Sequence, residues 1–593
     1  MDINKTIDCN IRTLLINKGS VIINSVVLRE IDNNERSANN NYFKPTGNLI
    51  TSYVHKTAID LNNSWPIKNG YHTSPIPLLS FQLMTRAEPA QMVIDTIESL
   101  LAIKADGDEI LIIDNNHTNT ELYEPLSRYC AGLDTRFKVR FYHVDRVDGF
   151  KSGALNLALQ LMDQSCTHVV VVDSDYQALP HARTSIVAAI KRHSNHALLQ
   201  FPQFYRDAGL ADVHSELNHY FNHHLYRPFN RTRALSTGTY AVIYKEALVS
   251  LGGWSGASIT EDAQMGVLMH RQGLHSQFIP EVIATGLLPT TLYDLITQRR
   301  RWIYGNMQVL STYFSEITQP LTSFSSKEEK AQRSNYGLEN KKLSIPRTAI
   351  SRLGERTAYM RAHLSQLSAW VNFTGFFIVL HLCIILTTLG ALITGADIDL
   401  HSLLTPLYAV YVSYTIFLGR RLWAYCHDRA PLNQQVNKDY IFSLRRQLRT
   451  WALHLNFWEL GALSWLPVLW GRDKPFICTP KQKCIQTRQS LFTDNLKALP
   501  KLLLVLNVIT AVLVAPFSPL YSPVLFSCSL IICLLKLWSA QVIFANYAYI
   551  SEGVSLAIIK LSTPKKPASH CPALSTTTLI SENLAKENKA FTP

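Results

Sequence analysis

Short apolar runs alternate with amphipathic segments between residues 78 and 285. The apolar runs have the length of strands: LLSFQLM, EILIID, FKVRFYHV, HVVVVDSD, ALLQFPQF, TYAVIY and SQFIPEVIA. PAQMVIDTIESLLAI follows the first run and places Val93, Ile97, Leu100 and Leu101 on one helical face, and SGALNLALQLM also has a helical pattern. Strands that alternate with helices predict an α/β fold with a doubly wound, mostly parallel sheet.

Longer apolar runs begin after residue 366. Four of them, at 370–393, 403–418, 502–517 and 524–545, predict membrane spans, and the first is long enough to cross a bilayer. Between the two pairs lies segment 451–470, whose Trp451, Trp458 and Trp465 recur every seven residues and share one helical stripe. Arginines precede this segment and lysines follow it, so both flanks are expected on the cytoplasmic side and the segment is predicted to be an interfacial helix.

These patterns divide the chain into five predicted parts. Residues 1–75 form a poorly defined N-terminal extension, and residues 76–315 a cytosolic catalytic-type domain. A polar linker and amphipathic segment (316–365), an α-helical transmembrane region (366–550) and a cytoplasmic tail (551–593) follow.

Composition agrees with a soluble domain joined to membrane helices. A chain of 593 residues is too long to fold around a single hydrophobic core. Of its residues, 47% are hydrophobic and only 17% are charged. The formal net charge of +13 suits an acidic partner such as nucleic acid, anionic lipid or a phosphorylated substrate. Nucleic acid is disfavoured as the partner, because the positive charge concentrates beside the apolar segments and the sequence contains no recognisable nucleic-acid-binding motif of aromatic and basic residues.

The most informative polar pair is Asp173 and Asp175, one residue apart at the end of VVVV. Ligands of doubly wound sheets bind beyond the carboxyl ends of the strands, where Asp114 also falls. Two carboxylates there can hold Mg²⁺ or Mn²⁺ together with substrate phosphates. The alternative is a turn that uses the aspartate side chain structurally.

A second acidic pair, Glu261 and Asp262, follows Thr260 at the start of a predicted helix. Thr260 can cap this helix, and acidic residues in a first turn are stabilising there, which accounts well for Glu261. A carboxylate at the mouth of the same cleft can instead take a proton from an attacking hydroxyl, and we assign that role to Asp262.

The segment QRRRW places Gln298, Arg301 and Trp302 on one helical face. An amide, a guanidinium and an indole on one face suit a sugar chain. The alternative is a basic helix against anionic lipid, which would suit Arg299 and Arg300. Upstream, Lys151 lies at a predicted helix start, where phosphate binding and ordinary capping are both possible.

The order of these motifs resembles that of processive family 2 glycosyltransferases, the group that contains cellulose, hyaluronan and chitin synthases. The resemblance covers about residues 78–550. Four stretches look most like bacterial β-glucan synthases of the cyclic β-1,3-glucan type: IIDNNHTNTELYEPL, GFKSGALNLAL, FPQFYRDAG and RDKPFICTPK.

The resemblance implies a GT-A fold that uses a UDP-sugar, most simply UDP-glucose, with Mg²⁺ or Mn²⁺ and a polysaccharide acceptor. Asp262, with Glu261 beside it, would act as the catalytic base. The implied donor-binding residues are Asp114 at the uracil, Lys151, Asp173 and Glu88. Asp175 and Asp173 would bind the metal. The implied acceptor and diphosphate residues are Gln298, Arg301, Trp302 and Thr260.

The implied protein is an integral protein of a bacterial inner membrane, with its catalytic domain in the cytoplasm and a channel that exports the polymer. Two departures from the family pattern stand out. The first strand ends in Thr85-Arg86-Ala87-Glu88-Pro89 where the family has a TYNEP-like turn, and Thr237 stands at an expected acceptor position. Two other functions stay open: a non-processive transferase that adds one sugar to a lipid, and an inactive membrane-anchored binding protein.

Overall fold

The computed structural model describes residues 28–30, 76–369 and 374–426, and scattered positions between 448 and 539. The structure does not describe ten segments within these ranges: 117–118, 145–146, 148, 206–219, 222–223, 225–230, 288, 290–291, 319–348 and 397–399. The predicted cytoplasmic tail (551–593) and nearly all of the N-terminal extension lie outside the described residues.

Ten strands are present in the described residues: β1 Leu28–Glu30, β2 Leu79–Thr85, β3 Glu109–Asp114, β4 Val139–Val144, β5 His168–Asp173, β6 Gln177–Ala178, β7 Leu198–Gln200, β8 Ala241–Tyr244, β9 Ser276–Phe278 and β10 Ala284–Thr285. Eight of them form one sheet in the order β1-β4-β3-β2-β5-β8-β7-β9. Four neighbouring pairs are parallel, namely β2–β3, β3–β4, β2–β5 and β7–β9. The pairs β1–β4, β5–β8 and β7–β8 are antiparallel.

The described α-helices are α1 Ala90–Leu101, α2 Thr120–Ala131, α3 Phe150–Leu161, α4 Ala182–Arg192, α5 Lys245–Ser250, α6 Glu261–Arg271, α7 Leu292–Thr318, α8 Ala349–Leu367, α9 Thr374–Thr394, α10 Leu400–Cys426 and α11 Leu466–Leu469. Strands and helices alternate from β2 to β5. The predicted α/β class with a mostly parallel sheet is therefore confirmed, and every apolar run quoted above contains a strand.

The core is built in layers because successive strand residues point to opposite faces. Ile110 and Ile112 of β3 pack on the face covered by α1 and α4. Leu111 and Ile113 pack on the other face, against α3. This arrangement buries both faces of the central strands and directs their carboxyl ends to one edge of the sheet.

Strand β1 was not predicted. Leu28–Glu30 pairs antiparallel with β4 and extends the sheet by one strand at that edge. Three residues without a marked alternation are too few to predict a strand from sequence.

Helices α9 and α10 overlap the first two predicted membrane spans. Among the residues that the structure describes, no helix has both the length and the apolar character that a membrane crossing requires. The predicted span 502–517 lies outside the described residues except for Val505, and 524–545 is described only at isolated positions. The transmembrane region therefore stays a prediction.

The predicted interfacial helix 451–470 is described only in part. Trp451 is 2% exposed and packs in a cluster with Phe377 of α9 and with Tyr411 and Tyr414 of α10. The interfacial placement of the segment also stays a prediction.

Candidate active site

A cavity lies beyond the carboxyl ends of β2 and β5, bordered by the first turn of α6 and by one face of α7. Ten of the eleven residues that the sequence assigned to the site line this cavity. They are Glu88, Lys151, Asp173, Asp175, Thr260, Glu261, Asp262, Gln298, Arg301 and Trp302. Motifs that are separated by as many as 200 residues are thus brought together, but Asp114 is not among the lining residues.

Asp114 lies behind the cavity wall and is fully buried. Its carboxylate accepts hydrogen bonds from Thr85 Oγ1 at 2.8 Å and from Asn116 Nδ2 at 2.5 Å, and it lies 2.7 Å from His143 Nδ1. The His143 ring stacks on Tyr123, with centroids 3.9 Å apart. The carboxylate thus joins the ends of β2, β3 and β4, and the predicted contact of Asp114 with uracil stays a prediction.

Asn116 connects Asp114 to the turn after β2 by hydrogen bonds to both. Its Oδ1 accepts a hydrogen bond from the Ala87 amide at 2.6 Å, and the Arg86 amide donates to the Glu88 carboxylate at 2.5 Å. Ala87 has φ 66°, in the left-handed region that Asn and Gly adopt more readily. This geometry explains the Asn of the family's TYNEP-like turn, which stands at the position that Ala87 occupies in this chain. The turn places Arg86 and Glu88 on the cavity wall.

The first acidic pair lies where the sequence predicted, at the end of β5. Asp173 accepts a hydrogen bond from Lys151 Nζ at 2.6 Å. Asp175 is 2% exposed and accepts from the Leu287 amide at 3.2 Å. Burial opposes the charge on Lys151, but attraction from Asp173 and Glu261 outweighs it, so the pKa of Lys151 is raised. The ammonium is therefore a permanent cation in the cavity.

The described residues contain no group of three or more His, Cys, Asp or Glu side chains arranged to hold a metal ion. Asp173 and Asp175 form a smaller group. That number agrees with Mg²⁺ sites that take one or two carboxylates and complete their shell with water and phosphate oxygens.

The second acidic pair begins α6. Thr260 occupies the N-cap position, but its side chain makes no capping hydrogen bond, so the predicted side-chain cap is wrong. Its Oγ1 lies 3.1 Å from Ser258 Oγ instead. Burial and the neighbouring Glu261 raise the pKa of Asp262 to about 7. Burial also raises the pKa of Glu261, although Lys151 opposes the shift.

Gly238 allows the backbone to pass close to Asp262. Its φ is 94°, and a Cβ at this position would lie 3.2 Å from Asp262 Oδ2 and 3.9 Å from Lys151 Nζ. A side chain at Gly238 would therefore enter the space between the acidic pair and the lysine.

Helix α7 presents Gln298, Arg301 and Trp302 to the cavity, as the sequence predicted. Arg299 differs from the prediction. It is 1% exposed, its guanidinium lies 4.2 Å from the centroid of the Trp302 ring, and its Nη1 donates to Gln298 Oε1 at 2.8 Å. It also reaches the Tyr205 hydroxyl at 3.4 Å. Lipid contact is therefore wrong for Arg299, which holds two of the three cavity residues in place.

Gly305 brings α7 against the first turn of α6. A Cβ here would lie 2.5 Å from Cγ2 and 2.8 Å from Oγ1 of Thr260. The absent side chain allows the two helices to approach at the cavity wall.

Several lining residues belong to no recognised motif. Thr237 lines the cavity, and among the described residues its buried Oγ1 has no hydrogen-bond partner. Its backbone is fixed by Gln200, which accepts from the Thr237 amide at 2.9 Å, and by Gln203, which donates to the Thr237 carbonyl at 2.6 Å. The segment STGT indicated Thr237 by its position, and the stretch FPQFYRDAG contains Gln203 and Tyr205, although neither residue was assigned a role. No local pattern indicated the lining residues Tyr220, Asn306, Gln366 and Leu367.

Known proteins that are similar to this chain belong to the class of enzymes that the order of the motifs indicated. Residues 83–252 match the family described as Glycosyl transferase family 2, and residues 168–419 match Glycosyl transferase family group 2. Cellulose synthase 2 of Novacetimonas hansenii is 24% identical over 264 residues, which are 42% of this chain and 16% of that protein. The poly-β-1,6-N-acetyl-D-glucosamine synthase of Staphylococcus aureus (strain COL) is 24% identical over 229 residues, 37% of this chain and 53% of that protein.

Among solved structures, the mannosyltransferase PcManGT of Pyrobaculum calidifontis, in complex with GDP-mannose and Mn²⁺, is 14% identical. The alignment covers 54% of this chain and 95% of that one, with a TM-score of 0.32. The chain spans less than a fifth of the length of the cellulose synthase that it matches.

The matches extend over most of the described catalytic-type domain and include the motifs of the resemblance except RDKPFICTPK and the apolar C-terminal runs beyond residue 419. The prediction of a glycosyltransferase is confirmed, and the narrower likeness to cyclic β-1,3-glucan synthases stays a prediction. The chain is a glycosyltransferase whose residues 83–419 are similar to the family 2 glycosyltransferases.

Proposed function

We propose that this protein transfers a sugar, most simply glucose, from a UDP-sugar to a growing β-glucan, using a GT-A type catalytic domain. The observation that carries the proposal is the position of Asp262. Its carboxyl, with a pKa of about 7, lines the same cavity as the two β5 aspartates and the polar face of α7. A base, a phosphate-binding side and a sugar-binding side are the parts that a glycosyl transfer requires.

The reaction follows from these roles. Asp262 takes the proton of an acceptor hydroxyl as its oxygen attacks the anomeric carbon of the donor. The bond from that carbon to the diphosphate breaks on the opposite side, and UDP leaves with the bonding electrons. A single displacement inverts the anomeric configuration, so an α-linked donor yields a β-linked product.

Cationic groups of the cavity stabilise the departing diphosphate. Lys151 stays protonated beside Asp173, and Arg301 faces the same space. Positive groups aimed at developing negative charge are a large catalytic contribution in a site partly withdrawn from water. Asp175 and Asp173 would hold Mg²⁺ or Mn²⁺, which when bound offsets further diphosphate charge.

The donor nucleotide lies, in this proposal, against the turn that carries Arg86 and Glu88. Asp114 acts there through Asn116, by fixing the backbone of the turn. Removal of the Asp114 carboxylate would then weaken UDP binding without removing a direct contact.

The acceptor binds along α7. Trp302 supplies an aromatic surface for a sugar ring, and Gln298 and Arg301 supply hydrogen bonds on the same side. The names of the two relatives, a cellulose synthase and a poly-β-1,6-N-acetyl-D-glucosamine synthase, support a polysaccharide product. The apolar segments after residue 366 support an integral membrane protein that exports this product from a cytoplasmic catalytic domain.

The test is product analysis with membranes that contain the protein. Each of UDP-glucose and UDP-N-acetylglucosamine is supplied separately, and the product is sized and its linkages are determined. We expect a β-linked polymer from one donor and none from the matched variant Asp262→Asn. A product with only one added sugar would point to the non-processive transferase, and absence of UDP release from any donor would reject the proposal.

A second comparison separates the acceptor side from the donor side. Trp302→Ala should reduce polymer formation much more than UDP-sugar hydrolysis, in which water replaces the sugar hydroxyl, and Trp302→Phe should keep part of the activity. Equal loss of both activities in Trp302→Ala would assign the tryptophan to helix packing or to the donor side.

A further inference from the structure

Helix α8 contributes to the cavity although it lies beyond every recognised motif. Gln366 and Leu367, at its C-terminal end, both line the cavity and are 1% and 2% exposed. Leu367 packs with Ala263 of α6 and with Val309 and Leu310 of α7. The helix is therefore joined to the two elements that carry the base and the acceptor face.

Gln366 connects this helix to the segment that precedes Thr237. Its Oε1 accepts a hydrogen bond from the Leu235 amide at 2.7 Å. Its Nε2 donates to the Arg233 carbonyl at 2.9 Å and to the Ala362 carbonyl at 3.2 Å. A buried amide that satisfies backbone groups on two segments at once fixes their separation, because loss of either bond leaves a buried polar group unpaired.

A second contact joins α8 to the helix of the catalytic base. His270 Nδ1, near the end of α6, lies 2.7 Å from His363 Nε2 on α8, and the two rings stack with centroids 5.0 Å apart. His270 Nε2 lies 2.7 Å from Ser276 Oγ. The C-terminal end of α8 thus contacts both α6, through His363, and the 233–235 segment, through Gln366.

Residues 236–238, which follow the segment bound by Gln366, form the cavity wall that faces Asp262. Ser236, Thr237 and Gly238 follow Leu235 directly and line the cavity, and a Cβ added to Gly238 would lie 3.2 Å from Asp262 Oδ2. None of the three hydrogen bonds of Gln366 reaches β5 or α3, which carry the phosphate-side residues.

We propose that Gln366 is a positioning residue for the acceptor: it sets the distance between the 236–238 wall and Asp262, and so places the sugar hydroxyl at the base. This inference rests on the proposed function, because it names a residue that acts on the acceptor of the same site. Misplacement of a reacting group by a small distance can reduce a rate by about 10²-fold. Donor binding and attack by water, which needs no positioned sugar, are affected much less.

The test compares Gln366→Met with Ser368→Ala in the full-length protein, by measuring polymer formation and UDP-sugar hydrolysis side by side. Methionine fills a volume similar to that of glutamine but offers no amide, so a packing role alone would leave both activities near the wild-type values. Ser368 lies two residues further along, just after the end of α8, and in the described part of the chain its hydroxyl donates to the Leu364 carbonyl of that helix. It serves as the matched control.

We expect Gln366→Met to lower polymer formation by about tenfold or more, with the KM for the UDP-sugar and the rate of hydrolysis within about threefold of the wild type. Ser368→Ala should match the wild type in both activities. Wild-type polymer yield in Gln366→Met, or parallel loss of both activities, including loss through misfolding, would overturn the inference alone. Absence of polymer and of UDP release in the wild type would overturn the proposed function, and this inference with it.

Discussion

The ionisation of Asp262 gives the sharpest test of its role as base. Burial and Glu261 raise its pKa to about 7, against about 3.9 for an aspartate in water. Because a carboxyl takes up a proton only when it is ionised, turnover should rise with pH and level off above about pH 7. One unit below the pKa about one carboxyl in eleven is ionised, so the rate at pH 6 should be about tenfold below the plateau.

The assay is the initial rate of UDP release at saturating UDP-sugar, measured between about pH 5.5 and 8.5 at constant ionic strength. Burial lowers the pKa of His363 to about 4 and that of His270 well below its usual value, so this pair stays neutral over the range and does not contribute. Asp262→Asn should be roughly 10²–10⁴-fold slower and should lose the pH dependence. A wild-type rate that is flat down to pH 5.5, or a variant that keeps the same profile, would refute the assignment.

Four further changes test other parts of the structure. Asp175→Asn should abolish transfer and weaken metal-dependent UDP binding, whereas wild-type activity that survives in EDTA would rule out the metal. Arg299→Ala should lower the free energy of unfolding by about 2 kcal/mol, because a buried cation–π contact and a hydrogen bond are lost, while the exposed control Arg300→Ala should change it by less than about 0.5 kcal/mol in denaturant titration. Gly305→Ala should destabilise by about 1–3 kcal/mol through overpacking at the α6–α7 contact, and an unchanged melting curve would contradict that contact. Ala87→Gly should stabilise by about 1 kcal/mol because glycine adopts positive φ without strain; a lower melting temperature would show that the turn is not left-handed in solution.

The strands and the members of the site were predictable because their signals are local. Apart from β1, each strand of the large sheet lies in an apolar run, and the order of the strands along the chain places the carboxyl ends of the parallel strands at one edge. The location of Asp173 and Asp175 in the site could therefore be predicted from the sequence alone. The spacing of three and four residues likewise placed Gln298, Arg301 and Trp302 on one helical face.

What failed depended on contacts between distant segments. The position of Asp114 at a strand end was predicted correctly, but its burial depends on Asn116 and on His143 of the next strand. Arg299 was assigned to lipid because its neighbours in sequence are basic, whereas its surroundings are set by Tyr205, nearly a hundred residues away. Gln366 offered no signal because it is a single glutamine at the predicted boundary between the amphipathic segment and the transmembrane region, and only the fold places it against Leu235.

The antiparallel pairing of β1 with β4 has a practical consequence for producing the catalytic domain. A shortened chain that begins at residue 76, just before β2, would leave β4 as a sheet edge with unpaired amide and carbonyl groups. Open edges of this kind favour pairing with other molecules and hence aggregation. Expression of the catalytic domain should therefore begin upstream of Leu28, so that β4 stays paired with β1 during purification.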